Sequence, residues 1–456
     1  MDYQEALRYL QSFADFEKKT GYSYTASFDL RRPRALLELL DDPHLRFPSI
    51  LVAGTKGKGS TSVMIASILR ASGRRVGLYS QPHLHTFRER IRVNSALITP
   101  EEMASAVEAV APAVEEMERR RPDLGVPTTY EVATAAAMLF FARQAPDLVV
   151  LEIGLGGRLD AVNVVNPLVS VITPVSLDHV QILGNTVAEI AAEKAGIIKE
   201  DGVVVAAGQS EEAMGVIRRV AADRHAELIV AGSDVVQVAE PSAELPGEDI
   251  LAHPRRERTD VSLRGPSGVV YRVRLPLLGA HQVANAATAI AVVEQLAKRG
   301  IGVSREDVEQ GLARVEWPGR LETVSRQPLV VVDGAHNADS AQKLAAALRE
   351  SFVYGRLILI LGTSADKDVE GIIAALGPMA GIAIATRSRH SRAAAPERLA
   401  TELRRYCPDV RTAPDVPSAL ALATTLTTPA DLISVTGSLF TVAGAREHYG
   451  LALEKD

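Results

Sequence analysis

The chain has 456 residues, 47% of them hydrophobic and 23% charged, with 50 basic against 56 acidic side chains and a formal net charge of −6. That length predicts two or three domains, and the acidic balance excludes a broad basic surface for nucleic acid. Cys407 is the single cysteine, which excludes an internal disulfide and any multi-cysteine metal site. Residues Met1 to Lys19 carry charges throughout, so no signal segment is expected, and the longest apolar run, Val132 to Ala142, falls far short of a membrane span. The expectation is a soluble cytoplasmic protein that works on small molecules, without membrane or nucleic-acid partners.

Strand-like and helix-like segments alternate almost throughout, which predicts parallel sheets covered by helices. Helices are expected over Tyr3–Lys18 and Arg34–Leu40. Ile50–Ala53 is an apolar run that reads as a buried strand, followed by a loop with three glycines and two lysines and an apolar helix that stops at Gly73. Val76–Ser80 is a short strand, Pro100–Arg120 and Thr129–Arg143 have helical period, and Asp147–Ile153, Leu168–Thr173 and Val203–Ala207 read as strands. Thr186-Val-Ala-Glu189 is a capping box opening a helix to about Lys199. Residues 232–275 mix Pro, Gly and charges around Val235–Val238 and Val269–Leu275, which reads as a small antiparallel excursion or a disordered insert. Helices follow at His281–Lys298 and Arg305–Arg314, and Trp317-Pro-Gly-Arg320 makes a natural hinge. Strands near 329–333, 357–361, 382–385 and 431–436, with helices between, predict a second, Rossmann-like domain. The division expected is 1–316 and 317–456.

Strand, Gly-rich turn and helix start at Ile50–Thr61 form a phosphate cradle, because glycines let backbone N–H groups face an anion and the helix dipole favours negative charge there. Lys58 can reach terminal phosphates, and a Ser60 or Thr61 hydroxyl can touch a phosphate or its magnesium. The common pattern G-x-x-x-x-G-K-[ST] is missed by one place, since Gly59 follows Lys58. Glu152 ends a strand, where ligands of open α/β sheets bind, and a carboxylate beside phosphates suits magnesium. Pairing with Arg158 is the competing role for it. Asp178-His179 follows another strand end, and His179 can be structural or functional. Lys194 lies in apolar sequence, so it is either snorkelling or chemically used. Asp333-Gly-Ala-His336-Asn337 repeats the strand-end placement, with a turn at Asp333-Gly334 and a helix cap at Asn337 as the structural options. Asp366-Lys367-Asp368 follows the next strand end, and the shared placement predicts two domains facing one cleft.

These residues resemble the Mur-ligase superfamily and, within it, folylpolyglutamate synthase/dihydrofolate synthase. The resemblance runs through Gly54-Thr-Lys-Gly-Lys-Gly-Ser60, Pro82-His-Leu with Glu89-Arg-Ile91, Glu152-Ile-Gly-Leu-Gly-Gly-Arg-Leu-Asp160, Asp178-His179 and Glu193-Lys-Ala-Gly-Ile-Ile-Lys199. It continues through His281-Gln with Asn285, Pro318-Gly-Arg-Leu-Glu322, Asp333-Gly-Ala-His-Asn337, Asp366-Lys-Asp368 and Thr436-Gly-Ser438. It implies an α/β fold of Mur-ligase type, with an N-terminal P-loop nucleotide-binding domain, the antiparallel excursion and a C-terminal Rossmann-like domain. It implies a monomeric ligase that uses ATP to activate a carboxylate of a folate-type substrate, dihydropteroate or a folate, and joins L-glutamate to it. An amino-acid ligase acting on a peptidoglycan precursor is the neighbouring alternative. A nucleotide-binding switch or a kinase would need fewer of these motifs.

Carried over by position, Lys56, Gly57, Lys58, Gly59 and Ser60 would hold the ATP phosphates. Asn285 would meet adenine, and Arg320, Asp333 and His336 would complete the ATP site. Glu152 and His179 would be ligands of two magnesium ions, and Lys194 would be carbamylated. Lys58, Lys194, His179 and Glu152 form the implied catalytic set. Thr128, Thr129, Tyr130 and Glu131, with Leu159, Asp160 and Ala161, would line the pterin-substrate pocket. The chain departs from the family pattern at Lys56, usually Asn; at Gln81, where a magnesium-binding Ser is common and either the Gln carbonyl or neighbouring Ser80 would serve; at Ala338, often Pro; and at Val162, usually Thr.

Overall fold

The computed structural model describes residues 1–16, 27–232, 235–238, 251–452 and 454–456. Apolar runs bounded by Gly and polar residues form the strands of a first sheet: β1 (Ser49–Ala53), β2 (Val76–Tyr79), β3 (Ile91–Val93), β4 (Ala96–Leu97), β5 (Leu148–Glu152), β6 (Val169–Ile172), β7 (Val203–Ala206) and β8 (Glu227–Val230). Their order is β4-β3-β2-β5-β1-β6-β7-β8. The sheet is parallel from β2 to β8, and the β3–β4 hairpin adds an antiparallel edge. β1 is buried along its whole length, as expected for a strand covered on both faces. Its side chains alternate between two cores. Leu51 and Ala53 pack with helices Pro100–Arg120 and Thr129–Gln144, whereas Ile50 and Val52 pack with helices Lys58–Ala71 and Ala280–Ala297.

The excursion is a three-stranded antiparallel sheet of β9 (Val235–Val238), β11 (Thr259–Arg264) and β12 (Val270–Leu275), with β11 central. Its inward residues Val261, Leu263, Val273 and Leu275 join the core under helix Ala280–Ala297. Of the span read as excursion or insert, 233–234 and 239–250 lie outside the described residues. One part behaves differently from the expectation: β10 (His253–Pro254) leaves the first unit and pairs with β15 (Phe352–Val353).

The second sheet contains β13 (Glu322–Arg326), β14 (Leu329–Val332), β16 (Arg356–Leu361), β17 (Ala380–Ala385), β18 (Val410–Thr412) and β19 (Asp431–Thr436), in the order β13-β14-β19-β16-β17-β18. Only β13 runs antiparallel to its neighbour. Alternation again feeds two cores, with Val331, Leu359 and Leu361 on one face and Val330, Val332, Ile358 and Ile360 on the other.

Helix ends differ from the reading of the sequence. The helix opened by the Thr186 capping box stops at Ala195, with Gly196 as its C-cap, rather than running to Lys199. The helix from Tyr3 stops at Gln11, and residues 17–18 of its expected span lie outside the described residues. Among the described residues no helix is long and apolar enough to cross a membrane.

The helix that opens at Lys58 is held by the helix Arg305–Ala313. Ser67 Oγ donates to Gly311 O at 2.7 Å, and a methyl on Gly311 would run into Ile68 Cα and sit 2.8 Å from Ile68 N. Gly215, inside helix Glu211–Asp223, has no atom within 4 Å of that position. Gly311→Ala therefore trades a helix-propensity gain of about 1 kcal/mol for an overpacking cost of about 1–3 kcal/mol and should lower the thermal unfolding midpoint. Gly215→Ala should raise it, by a stabilisation of about 0.4–1 kcal/mol. Equal shifts of the two midpoints would contradict this packing account.

Candidate active site

The loop after β1 crosses to its helix by way of backbone bonds that leave one set of donors free. Thr55 and Lys56 N–H both donate to Pro174 O, at 3.0 and 3.1 Å. Gly57 has φ +81° and is the N-cap of helix Lys58–Ala71, with no side-chain capping bond. The first-turn N–H groups of Lys58, Gly59 and Ser60 are thus available to an anion. Thr61 Oγ1, one residue further, is buried without a hydrogen-bond partner among the described residues. Two neighbours require the glycines here. A side chain on Gly57 would collide with Asn285 Oδ1, and one on Gly59 would lie 2.9 Å from Trp317 Cζ2.

Two lysines converge on one carbonyl in this loop. Lys58 Nζ donates to Gly54 O at 3.2 Å, and Lys194 Nζ donates to the same oxygen at 2.8 Å. Burial, with Lys58 beside it, pulls Lys194 down to about 7, so its amine is largely neutral above that pH. Glu152 comes to the same edge because it pairs in register with Val52 of β1. Its side chain is 3% exposed and accepts from Gln81 N–H at 3.1 Å. No described cation lies within ion-pairing distance of it, and burial pushes its carboxyl up. Arg158, its expected competitor, pairs instead with Glu193 at 2.7 Å. A buried carboxylate left in this state, beside a phosphate cradle, fits a magnesium ion that draws its other ligands from water and phosphate. His179 (φ +51°), the other expected ligand, is the exposed residue after Asp178, and its Nε2 lies 3.9 Å from Asp178 Oδ1. No group of three or more acidic, His or Cys side chains among the described residues forms a metal cage.

Asp160 organises the loop after β5. Its carboxylate accepts from Gly154 N–H at 2.9 Å, Leu155 N–H at 3.0 Å and Val162 N–H at 3.0 Å, and from Tyr130 Oη at 3.0 Å. Burial pushes it up to about 6. Gln81 Nε2 donates to Tyr130 Oη at 2.7 Å, while Gln81 Oε1 accepts from Arg90 at 3.3 Å. The Gln81 carbonyl expected to replace a metal-binding Ser is thus directed at a guanidinium, which competes with any metal for that oxygen. Leu159 is partly buried against the core and Ala161 is fully buried.

The structure separates the Thr128–Glu131 group. Tyr130 faces the Gln81–Asp160 network, but the other three hold the helix start. Thr128 and Glu131 form a capping box, Glu131 accepts from buried Arg32 at 2.8 Å, and Thr129 Oγ1 donates to Leu10 O and Phe13 O at 3.0 and 3.1 Å.

The second sheet brings its own strand ends to the cleft. Asp333 accepts from Leu321 N–H at 2.9 Å and Ala335 N–H at 2.8 Å, which ties the hinge to β14. The Arg320 guanidinium lies over Gly334. His336 Nδ1 is 2.8 Å from Gly334 O, and burial with Lys56 and Lys367 nearby holds its ring below the usual histidine range. Asn337 caps helix Ala338–Ser351, so its cap role is realised. A cleft of about 460 Å³ opens at the hinge, lined by Trp317, Arg320, Leu321, Leu278, Arg256 and Arg326 among others. Trp317 joins this cleft to the loop through its contact with Gly59.

Lys56 is the loop residue placed differently from expectation. Its N–H is spent on Pro174 O, and its Nζ lies 2.8 Å from Asp178 Oδ2 rather than over the free N–H groups. Burial works against ionisation of Asp178, but Lys56, His179 and Lys367 overcome it and hold the carboxyl far below the usual range. The sequence reading missed Arg90 and Trp317 as site residues and had Lys367 and Asn337 only as members of motifs. Their strand-end position was the available signal for the last two.

Residues 52–293 match the model of the Mur ligase middle domain, and residues 319–439 match that of the Mur ligase, glutamate ligase domain. The chain is 38% identical over 380 residues to the dihydrofolate synthase/folylpolyglutamate synthase of Bacillus subtilis, covering 83% of each. It is 36% identical over 451 residues to the enzyme of the same name from Mycobacterium tuberculosis, covering 92% of this chain and 90% of that one. A Haloferax volcanii protein, whose name joins folylpolyglutamate synthase to dihydropteroate synthase, is 37% identical over 447 residues, but the chain spans only 50% of its length. Among solved structures, the Mycobacterium tuberculosis folylpolyglutamate synthase complexed with ADP superposes with a TM-score of 0.87 at 33% identity, over 98% of both chains. Escherichia coli FolC in complex with DHPP and ADP superposes with 0.82 at 29% identity, over 98% of this chain and 97% of that one. With both Mur ligase domains matched in order and relatives of this identity aligned over most of their length, the chain belongs to the folylpolyglutamate synthase/dihydrofolate synthase family of Mur ligases.

Proposed function

We propose that the chain is an ATP-dependent ligase that joins the amino group of L-glutamate to a carboxylate of a folate-type substrate, either dihydropteroate or a folate. The observation that carries this reading is the edge where β1 and β5 end. There an uncapped helix N-terminus, Lys58, the carboxylate of Glu152, which has no ion pair among the described residues, and the buried amine of Lys194 meet. In the reaction the substrate carboxylate attacks the γ-phosphorus of ATP, ADP leaves, and an acyl phosphate forms. The glutamate amine then attacks the acyl carbon, loses a proton and expels inorganic phosphate. Oxyanions that repel one another must be brought together, so fixed donors are needed. The N–H groups of Lys58, Gly59 and Ser60 and the Lys58 ammonium supply them. Gly57 gives the loop its turn, and Asn285 supports it from behind. Arg320 offers a further cation from the hinge, with Asp333 and His336 positioning the second unit, and the cleft at Trp317 and Arg320 has the size for the nucleoside.

Glu152 and His179 would hold magnesium, with Thr61 Oγ1 as a further candidate oxygen. The ion, when bound, neutralises phosphate charge. Lys194 has the chemistry for carbamylation. A neutral amine takes up carbon dioxide with loss of a proton and becomes an anion, which suits a site short of its own carboxylates. Tyr130, Asp160 and Gln81 would face the pterin-linked substrate. We take 1–316 and 317–456 as the two domains, whose closure would keep water from the acyl phosphate. All these groups come from one chain, in keeping with a monomer, and ATP consumption suits the cytoplasm.

ADP release should depend on glutamate when dihydropteroate or tetrahydrofolate is supplied. Absence of glutamate-dependent release with both would refute the assignment, and activity with one alone would define the substrate. Lys194→Ala should abolish ligation and still bind an ATP analogue. In ¹³C-bicarbonate the wild type should show a carbamate carbon resonance that this variant lacks, and normal turnover of the variant would remove carbamylation from the mechanism.

A further inference from the structure

Lys56 lies in the nucleotide loop, yet neither its N–H nor its ammonium faces the free N–H groups of the helix start. Both of its donating groups are committed elsewhere. The partner of its ammonium, Asp178, lies in the segment after β6 and meets the C-terminal unit as well. Lys367 Nζ lies 3.4 Å from Asp178 Oδ1, and Asn337 Nδ2 lies 3.4 Å from Asp178 Oδ2. The Lys56, Asp178 and Lys367 side chains are only 14%, 12% and 19% exposed. Exposed ion pairs contribute little, but in a cluster this sheltered the loss of one partner leaves a poorly solvated charge.

We propose that Lys56, Asp178, Lys367 and Asn337 form an interdomain latch, in which one carboxylate ties the nucleotide loop to the C-terminal unit. Lys56 is then a positioning residue. It neutralises Asp178 from the loop side while Lys367 and Asn337 hold the same carboxylate from the other side of the cleft. Neither flanking cation alone joins the two units; Asp178 is the common member. The latch also fixes the start of the His179 segment, because His179 N–H donates to Asp178 Oδ1 at 3.0 Å. Lys56 therefore fixes the loop to Asp178 within the first unit, and Lys367 and Asn337 carry the same carboxylate across to the second. The proposal rests on the nucleotide reading of the loop but not on the identity of the acceptor. Its kinetic effect follows from population. If glutamate binds only the closed form, its apparent affinity falls in proportion to the closed fraction.

The test uses the full chain with Lys56→Met, Asp178→Asn and the double variant. Three quantities are read: the radius of gyration by small-angle scattering in saturating ADP, the Kd for ADP, and kcat and KM for glutamate. Each single variant should enlarge the ADP-bound particle and raise the KM for glutamate about tenfold, with ADP affinity changed by less than about threefold. The double variant should be no worse than Asp178→Asn alone, because that variant already removes the carboxylate with which Lys56 pairs. Lys56→Arg should recover most of the lost kcat/KM. Losses that multiply in the double variant would overturn the latch. So would weaker ADP binding by Lys56→Met at unchanged particle size, since Lys56 would then serve the phosphates directly. Unaltered values in both singles would overturn it too. Should Asp178→Asn fail to fold by circular dichroism, Lys367→Met replaces it as the single variant that severs the carboxylate from the C-terminal unit, with the same expected change in particle size and KM for glutamate, and unaltered values in it would overturn the latch. A wild type that binds ADP but shows no glutamate-dependent turnover would refute the ligase reading and leave the scattering comparison to decide the latch.

Discussion

Positive charge crowded into a loop that is largely closed to water is the constraint on which this molecule turns. Lys56, Lys58 and Lys194 approach a few residues of backbone, and the protein supplies few anions of its own to balance them. Gly54 O accepts from Lys58 Nζ and Lys194 Nζ, and Asp178 pairs with Lys56. Glu152 is near but makes no ion pair among the described residues. Burial penalises each of these charges, and the structure meets the penalty in different ways. Lys194 gives up its proton readily, Glu152 is pushed toward its neutral form, and Lys56 is paired. In the reading proposed above, a polyanion with a divalent cation would relieve these penalties together. The empty first turn of helix Lys58–Ala71 offers the same preference through backbone dipoles.

Parallel strand order turns that local preference into a site. β5, β1 and β6 are adjacent and run the same way, so their carboxyl ends deliver Glu152, the Gly54–Gly57 loop and the segment leading to Asp178 to one edge. The second sheet does the same with β14, β19 and β16. Thr436 Oγ1, at the end of β19, donates to Asp333 O at 2.8 Å, and Asp333 in turn holds Leu321 of the hinge. The hinge is therefore hydrogen-bonded to the edge it must present to the first unit. Trp317, the first residue of the hinge, packs against Gly59, so the hinge also touches the first residues of the loop helix.

Much of this was legible in the amino-acid sequence where the signal is local. Apolar runs ending in Gly or a carboxylate marked β1, β5 and β14, and the helix Pro100–Arg120 fell on its expected boundaries because Thr99 and Glu102 make a capping box with Pro at the first position. Strands at or next to a sheet edge were less visible. β3, β4, β13 and β18 are short or half exposed, so they lack an uninterrupted apolar run. Partnerships between distant residues were not visible at all. Nothing near Glu131 announces Arg32, which lies 99 residues away, and nothing near Lys56 announces Asp178, which lies 122 away. A motif reading places such residues in a site but cannot tell a side chain that faces the cleft from one that holds the wall behind it. Thr128, Thr129 and Glu131 belong to the wall.

Gln81 shows how a departure from a family pattern can be absorbed without loss of the surrounding order. A serine at this position has one short hydroxyl. The glutamine spans farther, and its three polar groups are each used. The backbone N–H holds Glu152, the amide nitrogen holds Tyr130, and the amide oxygen accepts from Arg90. Tyr130 in turn donates to Asp160, whose carboxylate folds the Gly154–Asp160 loop. One continuous set of hydrogen bonds therefore runs from Glu152 to the loop expected to face the acceptor substrate. A serine side chain cannot reach Tyr130 and Arg90 together, so the Gln at 81 couples these two regions more directly than the usual residue would. The same length works against it as a metal ligand, because its oxygen would have to leave a guanidinium to bind a second cation. In the reading proposed above, a magnesium ion at this edge would then rely on Glu152, His179, a carbamate on Lys194, hydroxyl and phosphate oxygens, and water rather than on Gln81.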